Sequence, residues 1–144
     1  FKMERSLVLI KPDAMHTGSG GTIISRFEGQ GLKVVALKML HLDKSLAQRH
    51  YAGHKDKPFF ENLVKYMISA PIIAVILEGE EAVALIRKAM GPTNSAQAEA
   101  GTIRGDFGTN IERNAVHGSD SEATAEEEIK RFFSEDEIFS PEKQ

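Results

Sequence analysis

The sequence predicts an α+β fold of βαββαβ order with additions, in which a four-stranded antiparallel sheet carries helices on one face. Three observations carry this expectation. Runs of β-branched residues and leucine recur at Leu7-Val8-Leu9-Ile10, between Lys33 and Leu40, and at Ile72-Ile73-Ala74-Val75-Ile76-Leu77. Between these runs the apolar residues fall at helical spacing. The 144 residues, 41% hydrophobic and 27% charged, suffice for one domain with a real core, spanning 1–144, and not for two.

Taken in order, Leu7 to Ile10 reads as a buried strand stopped by Lys11-Pro12-Asp13, so that a lysine stands at its end. Gly18, Gly20 and Gly21 read as a flexible turn. Ile23, Ile24 and Phe27 then mark an amphipathic helix closed by Gly29 and Gly31. Val34, Val35 and Met39 belong to the second strand. Ser45 and Gln48 match a capping box for a short helix carrying Leu46 and His50. Pro58 stands at the first turn of another helix, whose apolar face holds Phe59, Phe60, Leu63, Val64, Met67 and Ile68. The third strand follows Pro71, and the next helix holds Val83, Ile86 and Met90. Periodicity then fades in a long loop from Gly91 to Asn114, and loops of that length are usually functional or disordered. A short strand precedes the last helix, from about Ser121 to Phe133, and a polar tail.

Composition narrows the chemistry. Eighteen Lys+Arg against twenty-one Asp+Glu leave a net charge of -3, which gives no general attraction to nucleic acid or an anionic membrane. Without cysteine there is no disulfide, thiolate metal site or thiol catalysis, which suits the cytoplasm. No apolar run approaches the roughly 20 residues of a membrane span, and Phe1 to Pro12 lacks the apolar core of a signal peptide.

The most informative segment is Asn114-Ala115-Val116-His117-Gly118-Ser119-Asp120-Ser121. It presents an imidazole at a turn, just ahead of a helix that Ser119 and Glu122 are expected to cap. A helix N-terminus there favours an anion such as phosphate, and a neutral imidazole is a competent nucleophile near pH 7. The alternative is a histidine that merely caps or packs. A nucleophilic histidine needs a partner that fixes its tautomer, and Glu126, Glu127 and Glu128 stand on the last helix. Relative to the face of Ala125, Ile129, Phe132 and Phe133, Glu127 points away, while Glu126 and Glu128 flank it; periodicity does not choose between those two. Lys11, Arg87, Thr93-Asn94 and Gly101-Thr102-Ile103-Arg104-Gly105-Asp106 form the inventory of possible phosphate contacts. Taken by itself, Arg87 fits better as a cation in the last turn of its helix, where it complements the C-terminal dipole. Of Phe59 and Phe60 only one can point fully inward; such a pair is most often simply core and core margin, and the alternative is an exposed plate suited to stacking on a base. No metal set stands out: His50 and His54 lack a third ligand, and His16 and His41 are isolated. The glycines match neither a Walker loop nor a dinucleotide fingerprint.

Lys11-Pro12-Asp13, His50-Tyr51, Lys57-Pro58-Phe59-Phe60, Thr93-Asn94, Gly101 to Phe107 and, above all, Asn114-x-x-His117-Gly118-Ser119-Asp120-Ser121 resemble nucleoside diphosphate kinase in register over nearly the whole chain. The resemblance implies a ferredoxin-like βαββαβ fold and transfer of the terminal phosphoryl group of a nucleoside triphosphate to a nucleoside diphosphate. It implies a ping-pong route with His117 as nucleophile, Glu128 holding the other ring nitrogen, and Ser119 supporting that carboxylate. Lys11 and Asn114 are then expected to bind sugar and phosphate, with Lys11 and Tyr51 near the transferred group. Arg87, Thr93 and Arg104 take the outer phosphates, Phe59 stacks on the base and Leu63 lines it. Mg²⁺ is expected to arrive on the nucleotide phosphates, with no metal cage in the protein and no specific nucleic acid or membrane partner. Members form hexamers or tetramers, and a hexamer is favoured here. Ala14 stands where many members carry glycine, and Ser95 and Ala100 where prolines are common. Each missing proline frees loop and unfolded-state conformations by about 0.4–1 kcal/mol. The competing readings are a nucleotide- or nucleic-acid-binding module without catalysis, and an inactive member that kept the fold.

Overall fold

In a computed structural model, residues 2–140 are described; Phe1 and the tail from Pro141 onward lie outside them. The strands are β1 (Met3–Ile10), β2 (Lys33–Leu40), β3 (Ile72–Glu80) and β4 (Val116–Gly118), in the order β2-β3-β1-β4 with every neighbour antiparallel. The helices are α1 (Pro12–His16), α2 (Gly20–Gly29), α3 (Lys44–His50), α4 (Phe60–Met67), α5 (Ala82–Met90), α6 (Ile103–Phe107) and α7 (Glu122–Phe132). Helix α2 lies between β1 and β2, and α5 between β3 and β4, which is the expected split βαβ arrangement.

One expectation fails here. Helices cover both faces of the sheet. Leu7, Leu9, Ala74 and Ile76 pack with Ala47 of α3, Val64 and Met67 of α4 and Phe132 of α7. Val8, Ile10, Val75 and Leu77 pack on the opposite side with Ile23 and Phe27 of α2, Ile86 and Met90 of α5 and Ile103 of α6. Successive strand residues point to opposite faces, so an unbroken apolar run has both faces to bury. A one-faced sheet would alternate instead.

Other differences are local. Strand β1 begins four residues earlier than its apolar run, because Arg5 faces Glu78 across the β1–β3 register and donates to its carboxylate at 2.7 Å. Gly20 and Gly21 belong to the first turn of α2, and Gly18, at φ +71°, makes the turn before it. Helix α3 is capped by Asp43, whose carboxylate accepts from the Leu46 N–H at 2.7 Å, and not by Ser45. The stretch from Gly91 to Asn114 holds a 3₁₀ turn at Ser95–Gln97 and helix α6, capped by the Thr102 hydroxyl accepting from the Gly105 N–H at 3.0 Å.

Asp13 in α1 ties the strand ends together. One carboxylate oxygen accepts from the Ala115 N–H at 2.9 Å, and the other accepts from the Tyr66 hydroxyl at 2.5 Å. The Lys11 N–H donates to the Ala115 carbonyl at 2.8 Å. These bonds hold Ala115 at φ +71°, a left-handed conformation that costs a residue with a β-carbon about 1–2 kcal/mol. That kink delivers the chain into β4.

Candidate functional site

Strand β4 is short, and its register fixes which side chain faces where. His117 pairs with Leu9, so its ring lies on the face covered by α3, α4 and α7. Val116 and Gly118 point the other way. Gly118 therefore sits within the strand and not at the expected turn. A β-carbon on it would come within 2.5 Å of Met90 Sδ and 3.1 Å of Ile86 Cγ2, so the close approach of α5 to β4 favours glycine, and a larger residue needs Met90 to repack.

His117 Nε2 lies 2.9 Å from Glu128 Oε1, and the Ser119 hydroxyl donates to the same oxygen at 2.6 Å. Of the two carboxylates flanking the apolar face of α7, Glu128 is buried while Glu126 is exposed; Glu127 is exposed as well, though it reaches the cavity wall. Ser119 was expected to cap the last helix and does not. Ser121 does so, accepting from the Thr124 N–H at 3.0 Å, which frees Ser119 to be buried against Glu128. An oxygen that accepts from Ser119 and also faces His117 leaves the neutral imidazole with its proton on Nε2 and its lone pair on Nδ1. The ring keeps 22% of its side-chain surface accessible.

That ring borders a cavity of about 700 Å³. Lys11, Arg87, Thr93, Arg104 and Asn114 all line it, from the junction of β1 and α1, from α5, from the long loop and from α6. Lys11 Nζ donates to Asn114 Oδ1 at 2.9 Å and to the Glu112 carbonyl at 3.1 Å. The Asn114 amide in turn donates to the carbonyls of Thr93 at 3.0 Å and Ile111 at 3.1 Å. Burial, and then the nearby Arg104, bring the Lys11 ammonium down to about 8. Arg104 donates to the carbonyls of Val116 at 2.8 Å and Gly91 at 3.2 Å, while its buried Nε has no partner. Burial and Arg87 lower it to about 10, which leaves it charged near neutrality. Lys11, Arg87 and Arg104 converge on one cavity, none of them ion-paired to a carboxylate among the described residues, and so make a site for a polyanion.

Phe59 and Leu63 line the same cavity. Phe59 precedes α4 and remains 46% exposed, while Phe60 packs against the core, so the pair divides as its spacing requires. Tyr51 is buried with its ring centroid 6.4 Å from that of His117 and its hydroxyl unpartnered; burial, and then Glu128, raise it above the usual phenol range. Every sequence-expected site residue except Ser119, which acts from behind Glu128, lines this one cavity.

Several residues on the wall escape sequence reasoning, among them His50 and Arg131. Spacing pairs His50 with His54; the structure instead sets it edge to face against His117, their centroids 4.6 Å apart. The sequence places it with Leu46 on a short helix, as α3 shows, but its partners lie on distant elements. Among the described residues, His50, His117 and Glu128 bring three metal-binding atoms within 4.8 Å of one another. Two imidazoles and one carboxylate do not suit Mg²⁺, which takes oxygen ligands in octahedral geometry.

A four-stranded sheet with a carboxylate-held histidine facing three cations and an exposed aromatic defines a nucleotide-handling phosphotransferase. Comparisons with known proteins agree. A sequence model of the family described as nucleoside diphosphate kinase matches residues 4–138. The nucleoside diphosphate kinase of Dehalococcoides mccartyi is 54% identical over 136 residues, covering 94% of this chain and 96% of that protein. The solved nucleoside diphosphate kinase of Aquifex aeolicus superposes with a TM-score of 0.93 at 42% identity, covering 95% of this chain and 99% of that one. The enzyme of Halobacterium salinarum, solved in complex with CDP, gives 0.94 at 43% identity over 96% of this chain and 93% of that one. The chain belongs to the nucleoside diphosphate kinase family and is an enzyme of phosphoryl transfer between nucleoside triphosphates and diphosphates.

Proposed function

We propose that transfer runs by a ping-pong route through a phosphohistidine on His117. The observation that carries this reading is the engaged Nε2 atom, 2.9 Å from Glu128, on a ring that still opens onto a cavity lined by Lys11, Arg87 and Arg104. The Nδ1 lone pair of His117 attacks the terminal phosphorus. A P–N bond forms as the bond from that phosphorus to the bridging oxygen breaks, and the nucleoside diphosphate leaves with the electron pair. Positive charge grows on the ring and is met through Nε2–H by Glu128, itself held by Ser119. Negative charge grows on the leaving oxygen and the equatorial oxygens, where Lys11, Arg87 and Arg104 supply the opposite sign. Tyr51 stands near the transferred group, Thr93 donates to phosphate, and Asn114, whose amide protons are held by the Thr93 and Ile111 carbonyls, positions Lys11 and accepts from the sugar through Oδ1. The second diphosphate enters the same cavity and reverses the step.

Phe59 is read as stacking on the base with Leu63 beneath it, a contact every base can make. Mg²⁺ enters as part of the substrate, held by phosphate oxygens, where it neutralises phosphate charge. Residues 1–144 are read as one catalytic domain, because both cores share one sheet. A homo-oligomer, a hexamer before a tetramer, is supported by the edge strand β2, where Leu37 is 50% and Met39 64% exposed although the Phe139 N–H covers the Val35 carbonyl. No helix among the described residues is long and apolar enough to cross a membrane, and a cysteine-free chain suits a cytoplasmic setting. The decisive variant is His117→Ala: it binds nucleotide and transfers nothing. Near-normal transfer by that variant would refute the route.

A further inference from the structure

The mechanism above leaves a second imidazole idle beside the nucleophile. His50 closes α3, is buried, and meets His117 edge to face at 79° between ring planes. Phe132 packs edge to face on it from the other element that walls this site, with centroids 5.1 Å apart. One ring nitrogen of His50, one of His117 and a Glu128 oxygen lie within 4.8 Å of one another. Such closeness is hazardous for a nucleophile that depends on one tautomer. A His50 nitrogen offering a lone pair would compete with Glu128 for the His117 proton. A charged His50 would oppose the positive charge that attack creates on His117.

Arg131 removes both hazards. Its Nη1 lies 3.2 Å from His50 Nδ1. A guanidinium has only donors, so Nδ1 accepts, and the proton of neutral His50 is confined to Nε2. That Nε2 is buried and has no partner. Burial first, and then the cations Arg131 and Lys11, hold His50 far below the usual imidazole range, so it stays neutral.

We infer that Arg131 and His50 form a tautomer lock for the nucleophile: Arg131 fixes the His50 proton on Nε2, and His50 then leaves Glu128 as the acceptor for His117 Nε2–H while its edge sets the His117 ring plane. Both are positioning residues. The inference deepens the proposed route and rests on it, so its test needs a readout besides transfer.

Three measurements on the full chain serve. In ¹⁵N-histidine spectra at a pH where His117 is neutral, the normal protein shows a protonated Nε2 and a bare Nδ1 on His117. In Arg131→Met, which removes the donor, those signals move toward a mixture of tautomers, and kcat falls about tenfold or more with KM for nucleotides little changed. Arg131→Lys, again donor-only, recovers most of both losses. Should Arg131→Met not fold, His50→Gln, whose amide oxygen brings an acceptor to the same place, is read the same way. Unchanged ring signals, equal losses in the Met and Lys variants, or a rise in KM alone would overturn the lock. An active His117→Ala would sink the phosphohistidine route instead, and the ring signals of the Arg131 variants would still report on the lock.

Discussion

Replacing Glu128 by glutamine probes the nucleophile without touching the phosphate wall. Glu128 Oε1 receives two donors, His117 Nε2 at 2.9 Å and Ser119 Oγ at 2.6 Å. Glutamine keeps an oxygen there but loses the charge, and its amide adds two protons to a buried spot. A hydrogen bond to a charged group contributes about 1.5–3 kcal/mol, against about 0.5–1.5 for a neutral pair. The difference of about 1–2 kcal/mol acts where it matters, because the ring becomes positive only as the new bond forms. At about 1.4 kcal/mol per factor of ten, Glu128→Gln slows transfer about 5- to 30-fold. The phosphate and base contacts are untouched, so KM for nucleotides stays nearly constant, the signature of an interaction made in the transition state. Rapid-quench measurement of phosphoenzyme formation, beside steady-state kcat and KM, checks both halves. A normal rate, or a raised KM with kcat preserved, would refute the role given to Glu128.

Three further outcomes follow from the site and the long loop. Lys11 is held at about 8 in the free protein and loses its charge above that, so kcat/KM, which reports the free enzyme, falls as the pH rises through this value. Bound phosphates favour the charged form, so kcat declines only at higher pH; a kcat/KM flat well past that region contradicts the role of Lys11. Phe59→Ala weakens nucleotide binding by about 1–3 kcal/mol in calorimetric titration if stacking dominates, and its exposure spares the melting temperature. Ser95→Pro stabilises the fold by about 0.4–1 kcal/mol in denaturant titration, because position 95 opens a 3₁₀ turn after an extended Asn94. Destabilisation by this change would refute that reasoning and show that the packing of buried Ser95 against Gly108 outweighs the loop entropy.

What was legible in the sequence was what local patterning dictates. Strand β2 has the bounds expected of it, and α7 differs by a residue at each end. The histidine, its flanking carboxylates and the cations were visible as residue types. The rest depended on contacts between distant positions. The polar half of β1 is a strand because Glu78, on β3, answers Arg5. Helix α1 exists as a single turn held by Tyr66 and Ala115 through Asp13. Ser119 fits the local pattern of a cap, yet a tertiary partner claims its hydroxyl. Glu126 and Glu128 are equivalent by periodicity, and only the path of β4 beneath α7 separates them. His50 escaped for the same reason, its partners lying on β4 and α7.

The central claim is that His117 carries the phosphoryl group between two nucleotides. Incubating the protein with Mg-ATP labelled in its terminal phosphate, with no diphosphate present, tests it most directly. The account predicts one acid-labile, alkali-stable phosphate per chain, mapped by mass spectrometry to His117 and discharged completely by any added nucleoside diphosphate. Transfer that proceeds at full rate with no such species, or with the label on another residue, would contradict it.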